Sequence, residues 1–107
     1  MDRVLIVARM NAADVPEVKK IWEESDASDL PGLVGVRSRS LFHFHGLYFH
    51  LIEADEVVTP NIEAVRRHPL FRDIDTKLAT YVKAYDAATW RGPKDAMANL
   101  FYSWQAA

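Results

Sequence analysis

The stretch RSRSLFHFHGLYFHLIE, residues 37–53, gathers titratable side chains into what reads as a β-hairpin. Arg37, Arg39, His43, His45 and His50 all fall within it, and the chain has one further histidine, His68. Upstream, VPEVKKIWEESD reads as a helix that closes on Asp26. A helix carboxylate, a strand guanidinium and a strand imidazole meeting in an apolar cavity would form an acid–base set. Buried Asp and His titrate away from their reference values, whereas Arg stays cationic and can hold a developing enolate or alkoxide. Such a set suits enolisation of a β-dicarbonyl, aldol closure and loss of water. Whether these residues meet depends on the elements that carry them.

VLIVARM (4–10) is nearly continuous in apolar character and reads as a strand covered on both faces. The helix that follows is expected over Val15–Asp26, with Asp14 and Glu17 as a capping box and Pro16 in the first turn. Its apolar stripe is Val15, Val18, Ile21 and Trp22, and the next positions on that stripe are Ser25 and Asp26. Asp26 therefore either points where an apolar residue is expected or turns outward to cap ASDLPG. A two-residue turn at His45-Gly46 sets the hairpin register: Phe44 opposite Leu47, His43 opposite Tyr48, Phe42 opposite Phe49, Leu41 opposite His50, Arg39 opposite Ile52. One face then carries Phe42, Phe44, Leu47, Phe49 and Leu51. The other carries Arg37, Arg39, Leu41, His43, Tyr48, His50 and Ile52.

Thr59 as cap and Pro60 as first helical residue open a second helix, which His68-Pro69 interrupts. Helical spacing resumes through Phe71, Ile74, Leu78, Tyr81, Val82 and Tyr85; AATWRGPKDAM reads as a loop and NLFYSW (99–104) as a final strand. The order β-α-β-β-α-β predicts an α+β, ferredoxin-like sandwich with both helices on one face of a four-stranded antiparallel sheet. The other face would be a large bare apolar patch, which a second copy packed sheet to sheet would cover. Arg39 and His50 would then lie between sheet and helix, on Asp26's side.

Each candidate also has a plain structural role. His50 fits a satisfied core histidine, and Arg39 fits a partner for Glu53 or Asp26. His43 and His45, near the hairpin tip, fit solvated positions, and His68 fits a helix cap. The 107 residues suit one domain, 1–107, with no low-complexity linker. A net charge of −2 with mixed signs gives no footprint for nucleic acid or an anionic membrane, and no apolar run is long enough to span a bilayer. The chain reads as cytosolic. Without cysteine it has no disulfide and no thiolate chemistry, and no carboxylate pattern completes a metal site around the histidines. No Gly-rich phosphate loop or nucleophile elbow is present.

LPGLVGVRSRSLFHFHGLYFHLIEAD, RRHPLF, WEESDASDLP and the closing FYSW closely resemble the tetracenomycin-type cyclases of aromatic type II polyketide pathways, over nearly the whole chain. The resemblance implies a dimeric α+β barrel in which each protomer folds an aromatic poly-β-ketone and closes a ring by aldol condensation and dehydration, a lyase-type step with no cofactor and no metal. It carries the catalytic roles onto Asp26, Arg39 and His50. Trp22, Ser25, Tyr48, Leu41 and Phe71 are the expected substrate contacts. Ser25 stands where the family pattern has a histidine, which implies a differently shaped substrate. Contact with other polyketide synthase subunits also follows from such a role. Two other functions fit the same architecture: a cofactor-free monooxygenase acting on anthrones, and a non-catalytic template or binding subunit of a polyketide synthase complex.

Overall fold

Alternating side chains build the sheet. In the computed structural model, which describes residues 1–107, β1 (Asp2–Arg9), β2 (Ser38–Phe44), β3 (Leu47–Ala54) and β4 (Lys83–Ala84) form one antiparallel sheet in the order β2-β3-β1-β4. His45 and Gly46 both take positive φ, 47° and 77°, as a two-residue turn that matches strand twist requires. The pairs Phe44–Leu47, His43–Tyr48, Phe42–Phe49, Leu41–His50 and Arg39–Ile52 all form, so the expected register holds. Its faces divide accordingly. Tyr48, His50 and Ile52 are buried, whereas Phe42 and Phe44 are 56% and 63% exposed.

Four helices, α1 (Val15–Asp26), α2 (Leu30–Val34), α3 (Thr59–Val65) and α4 (Pro69–Leu78), supply the rest of the interior. Val4, Ile52 and Ala54 of the sheet pack with Leu30, Val34, Val58, Ile62 and Ile74. Nearer the hairpin tip, Ala8, Met10, Val18 and Tyr48 form a second buried cluster. On α1 the inward stripe is Val18, Ile21 and Trp22, while Val15 is exposed. The Asp14 side chain makes no capping bond, because a 3-10 turn over Ala12–Asp14 already leads into the helix.

The short helix α2 lies between α1 and the hairpin. Pro31 lies in its first turn, and Gly35, at φ 92°, ends it by donating its N–H to the Pro31 carbonyl at 2.8 Å. Farther on, the helical run breaks where expected. His68 is the N-cap of α4, and its Nδ1 accepts from the Leu70 N–H at 3.1 Å. Val58 rather than Thr59 caps α3, and its own N–H donates to Asp2 Oδ2 at 3.2 Å.

The last strand is the clearest correction. Residues 99–104 do not form one; the fourth strand is Lys83–Ala84, beside Ala8 and Arg9 of β1. Tyr81, Val82 and Tyr85 extend the helical spacing but equally suit an extended edge, and the Tyr81 and Val82 N–H groups close the helix on the Leu78 carbonyl. The chain touches β1 again through the Ile6–Met97 bridge and the Ala98 N–H to Leu5 carbonyl bond. It then runs on with Leu100, Phe101, Tyr102 and Trp104 exposed.

Candidate active site

Between the helices and the inner sheet face lies a cavity of about 460 Å³. Its walls are mostly apolar, with the rings of Trp22, Phe71 and Trp90 among them. Arg39, Tyr48 and His50 bring polar atoms to the wall, and Asp75 and Lys83, both exposed, bring charges to its open side. The Lys83 ammonium donates to the Ala79 carbonyl at the end of α4.

Arg39 is the hub. The last turn of α1 brings Asp26 against it, so that Nε lies 3.0 and 3.1 Å from the two carboxylate oxygens and Nη2 lies 2.9 Å from Oδ1. The Trp22 ring, one turn earlier on α1, lies under the guanidinium with 4.1 Å from Cζ to the ring centroid. On its third side, Arg39 Nη1 is 2.6 Å from His50 Nε2. The Arg39 side chain is only 10% exposed, and the Asp26 side chain is 38% exposed. The carboxylate thus meets water outside the cavity and does not line it.

The Arg39–His50 contact dictates a tautomer. A guanidinium has no acceptor, so His50 Nε2 must accept and its proton sits on Nδ1. Nδ1 has no partner in the protein, and no buried side-chain nitrogen or oxygen is left unsatisfied, so Nδ1 opens onto the cavity. Burial, reinforced by the neighbouring Arg39 charge, lowers the His50 pKa from 6.5 to about 3. At neutral pH this is a neutral imidazole presenting an N–H. Tyr48, opposite the same helix, accepts from Trp22 Nε1 at 3.0 Å. Burial pushes its phenol up to about 12, against the opposing effects of the Trp22 bond and Arg39, so it too stays a neutral donor.

The structure brings together Trp22, Arg39, Tyr48, His50 and Phe71 on one cavity wall system. Asp26 reaches it through Arg39. Ser25 and Leu41 do not line it. Ser25 uses its carbonyl to close the turn with Ser28, and Leu41 borders a separate, smaller chamber. His43 is half-buried rather than solvated, because its Nε2 donates to the Met10 carbonyl at 2.8 Å; His45 is exposed. Glu53 pairs with Arg3 at 3.7 Å, which leaves Asp26 as the Arg39 partner. Sequence reasoning missed Leu30 and Val34 of α2 and Trp90 and Pro93 of the C-terminal loop. The Pro31 and Gly35 signals could have revealed α2; nothing local marks the loop as a cavity wall.

The chain has clear relatives. The family model described as "Polyketide synthesis cyclase" matches residues 2–105. Over 105 residues the chain is 45% identical to the polyketide synthase CurG of Streptomyces cyaneus, covering 98% of each chain. It is 43% identical over 104 residues to the tetracenomycin F2 cyclase of Streptomyces glaucescens, covering 97% of this chain and 94% of that one. The solved structure of that cyclase, described as a type II polyketide cyclase, superposes with a TM-score of 0.94 at 41% identity over the whole of both chains. By sequence and by fold the chain belongs to the polyketide synthesis cyclase family.

Proposed function

We propose that this chain closes a ring of an aromatic poly-β-ketone by aldol condensation and dehydration, a cofactor-independent lyase-type reaction carried out inside the cavity of a single domain. The observation that carries the reading is the Arg39–His50 contact on an otherwise apolar wall. A β-dicarbonyl methylene enolises readily in water. What the site adds is a fixed fold of the chain and stabilisation of the oxygen that gains charge when the enol carbon attacks a ketone. Arg39 uses Nε and one N–H each of Nη1 and Nη2 on Asp26 and His50, leaving N–H groups for that oxygen. The Nδ1–H of His50 supplies a second donor. Donors held in place in a water-poor site need no reorganisation as charge develops, and each is worth a large rate factor. In this reading Arg39 and His50 are the catalytic residues, while Asp26 is a positioning residue that holds the guanidinium.

Trp22, Phe71 and Trp90 shape the stacked rings, and Tyr48 contributes a hydroxyl. The same apolar shape supports a second reading, in which the cavity selects one folded conformer and proximity alone directs closure. Incubation with aromatic polyketide intermediates of graded length, with the rings formed identified by mass spectrometry and NMR, tests both. Arg39→Met is expected to slow ring closure by more than about tenfold while the protein stays folded. A rate within a few-fold of wild type leaves only the template reading, and product ratios equal to the protein-free control overturn both.

We further propose a ferredoxin-like homodimer joined through the outer sheet face. The strand order and the exposed rings of Phe42, Phe44, Phe101, Tyr102 and Trp104 support it. The assembly would act in the cytosol, in contact with other polyketide synthase subunits.

A further inference from the structure

Behind the main cavity, towards the hairpin tip, lies a second chamber of about 150 Å³. Met10, Val18 and Leu41 are among its walls, His43 lies at its polar margin, and exposed Val15, Lys19 and Phe42 form a mouth open to solvent. Tyr48 is the one residue that borders both this chamber and the main cavity. Its ring is 3% exposed, and its strand neighbours are Ala8 on one side and His43 on the other. The hydroxyl is tied at 3.0 Å to the Trp22 indole, which is itself pinned beneath Arg39. The partition is therefore not a free rotor. It is a ring fixed at both ends between two empty spaces. An apolar space of about 150 Å³ is the size that admits one benzene-sized ring.

We propose that Tyr48, its ring 6.3 Å from the His50 ring, is the length stop of the cavity, ending beside His50 the space that a fused-ring ligand can occupy on the hairpin side, with room for one more ring behind it. The inference rests on the polyketide reading of the cavity and extends it from a reaction to a substrate size. Trp22 is the positioning residue that keeps the stop closed.

The test measures binding of hydroxylated naphthoquinone, anthraquinone and naphthacenequinone, of two, three and four fused rings, by ligand absorbance and calorimetry. Tyr48→Ala joins the two spaces. It is expected to raise the affinity for the four-ring ligand, relative to the three-ring one, by at least about tenfold over the wild-type ratio. Tyr48→Phe keeps the ring in place and is expected to leave that ratio within about threefold, whatever it does to absolute affinity. Refilling the chamber with Leu41→Trp in the Tyr48→Ala protein is expected to restore the wild-type ratio. Should Tyr48→Ala fail to fold, Tyr48→Leu, which keeps core volume but lacks the outer half of the ring, is expected to shift the ratio in the same direction. A folded Tyr48→Ala or Tyr48→Leu protein that binds the shorter ligands with an unchanged ratio overturns the length stop alone. Failure of wild type to bind any of the three overturns the polyketide reading with it.

Discussion

His50 is expected to remain neutral throughout the pH range in which the enzyme works. The guanidinium 2.6 Å from Nε2 can only donate, so protonating His50 would set two donors against each other inside a buried site. A pKa lowered from 6.5 to about 3 corresponds to at most about 5 kcal/mol against the imidazolium. The linkage sign follows from the lowered folded value. Between pH 6.5 and 3 the unfolded chain binds a proton that the folded chain refuses, so the contribution of His50 to stability is complete above pH 6.5 and is lost as pH falls towards 3. At pH 5 that loss is about 2 kcal/mol relative to pH 7. Two measurements check this. In a ¹H–¹³C NMR titration, the His50 Cε1 signal, assigned by its disappearance in His50→Gln, should show no inflection between pH 5 and 9. Urea unfolding of wild type and His50→Gln, whose amide oxygen can still accept from Arg39, should diverge by about 2 kcal/mol on going from pH 7 to 5. A His50 midpoint at or above 6, or stability curves that stay parallel, would refute the tautomer assignment and with it the role of Nδ1–H as a fixed donor.

Two further outcomes concern Asp26 and assembly. Asp26→Asn keeps the shape but removes the anion that clamps Arg39, and is expected to slow single-turnover ring closure by about tenfold, with partial recovery in Asp26→Glu. A rate within twofold of wild type would show that Trp22 and His50 hold the guanidinium unaided. Lysine at both Phe42 and Phe44 is expected to yield a folded 12.2 kDa monomer in sedimentation velocity; a persisting dimer would place the interface elsewhere.

The hairpin was the most legible part of the chain because two local constraints agree there. The positive φ at His45 and Gly46 sets the turn, and a period of two then decides the face of every side chain up to Arg39 and Ile52. The meeting of Asp26, Arg39 and His50 followed from that register together with the α1 stripe. Their chemical states did not, because they depend on an interatomic contact: Arg39 against Nε2 turns an expected proton carrier into a neutral donor. The C-terminal quarter was read least well. Tyr81, Val82 and Tyr85 satisfy helical and extended spacing alike, so pairing with β1 decided the outcome. NLFYSW has the composition of a strand, yet no strand lies alongside it to pair with.

That quarter of the molecule also closes the cavity. On one side of β1, β3 is zipped along eight consecutive pairs. On the other, the segment carrying Trp90, Pro93 and Ala96 is fastened to β1 by the two-residue strand Lys83–Ala84, the single Ile6–Met97 bridge, the Ala98 N–H bond to the Leu5 carbonyl and the Arg9 bond to the Tyr85 carbonyl. The cavity wall is therefore hinged on its weakest seam. Sub-global opening, the motion that exposes backbone amides to exchange without unfolding the core, is expected to be easiest along residues 83–98, whose amides should exchange ahead of those of β1 and β3. Opening along that seam leaves β3, the strand that holds His50, paired with β1 over its whole length.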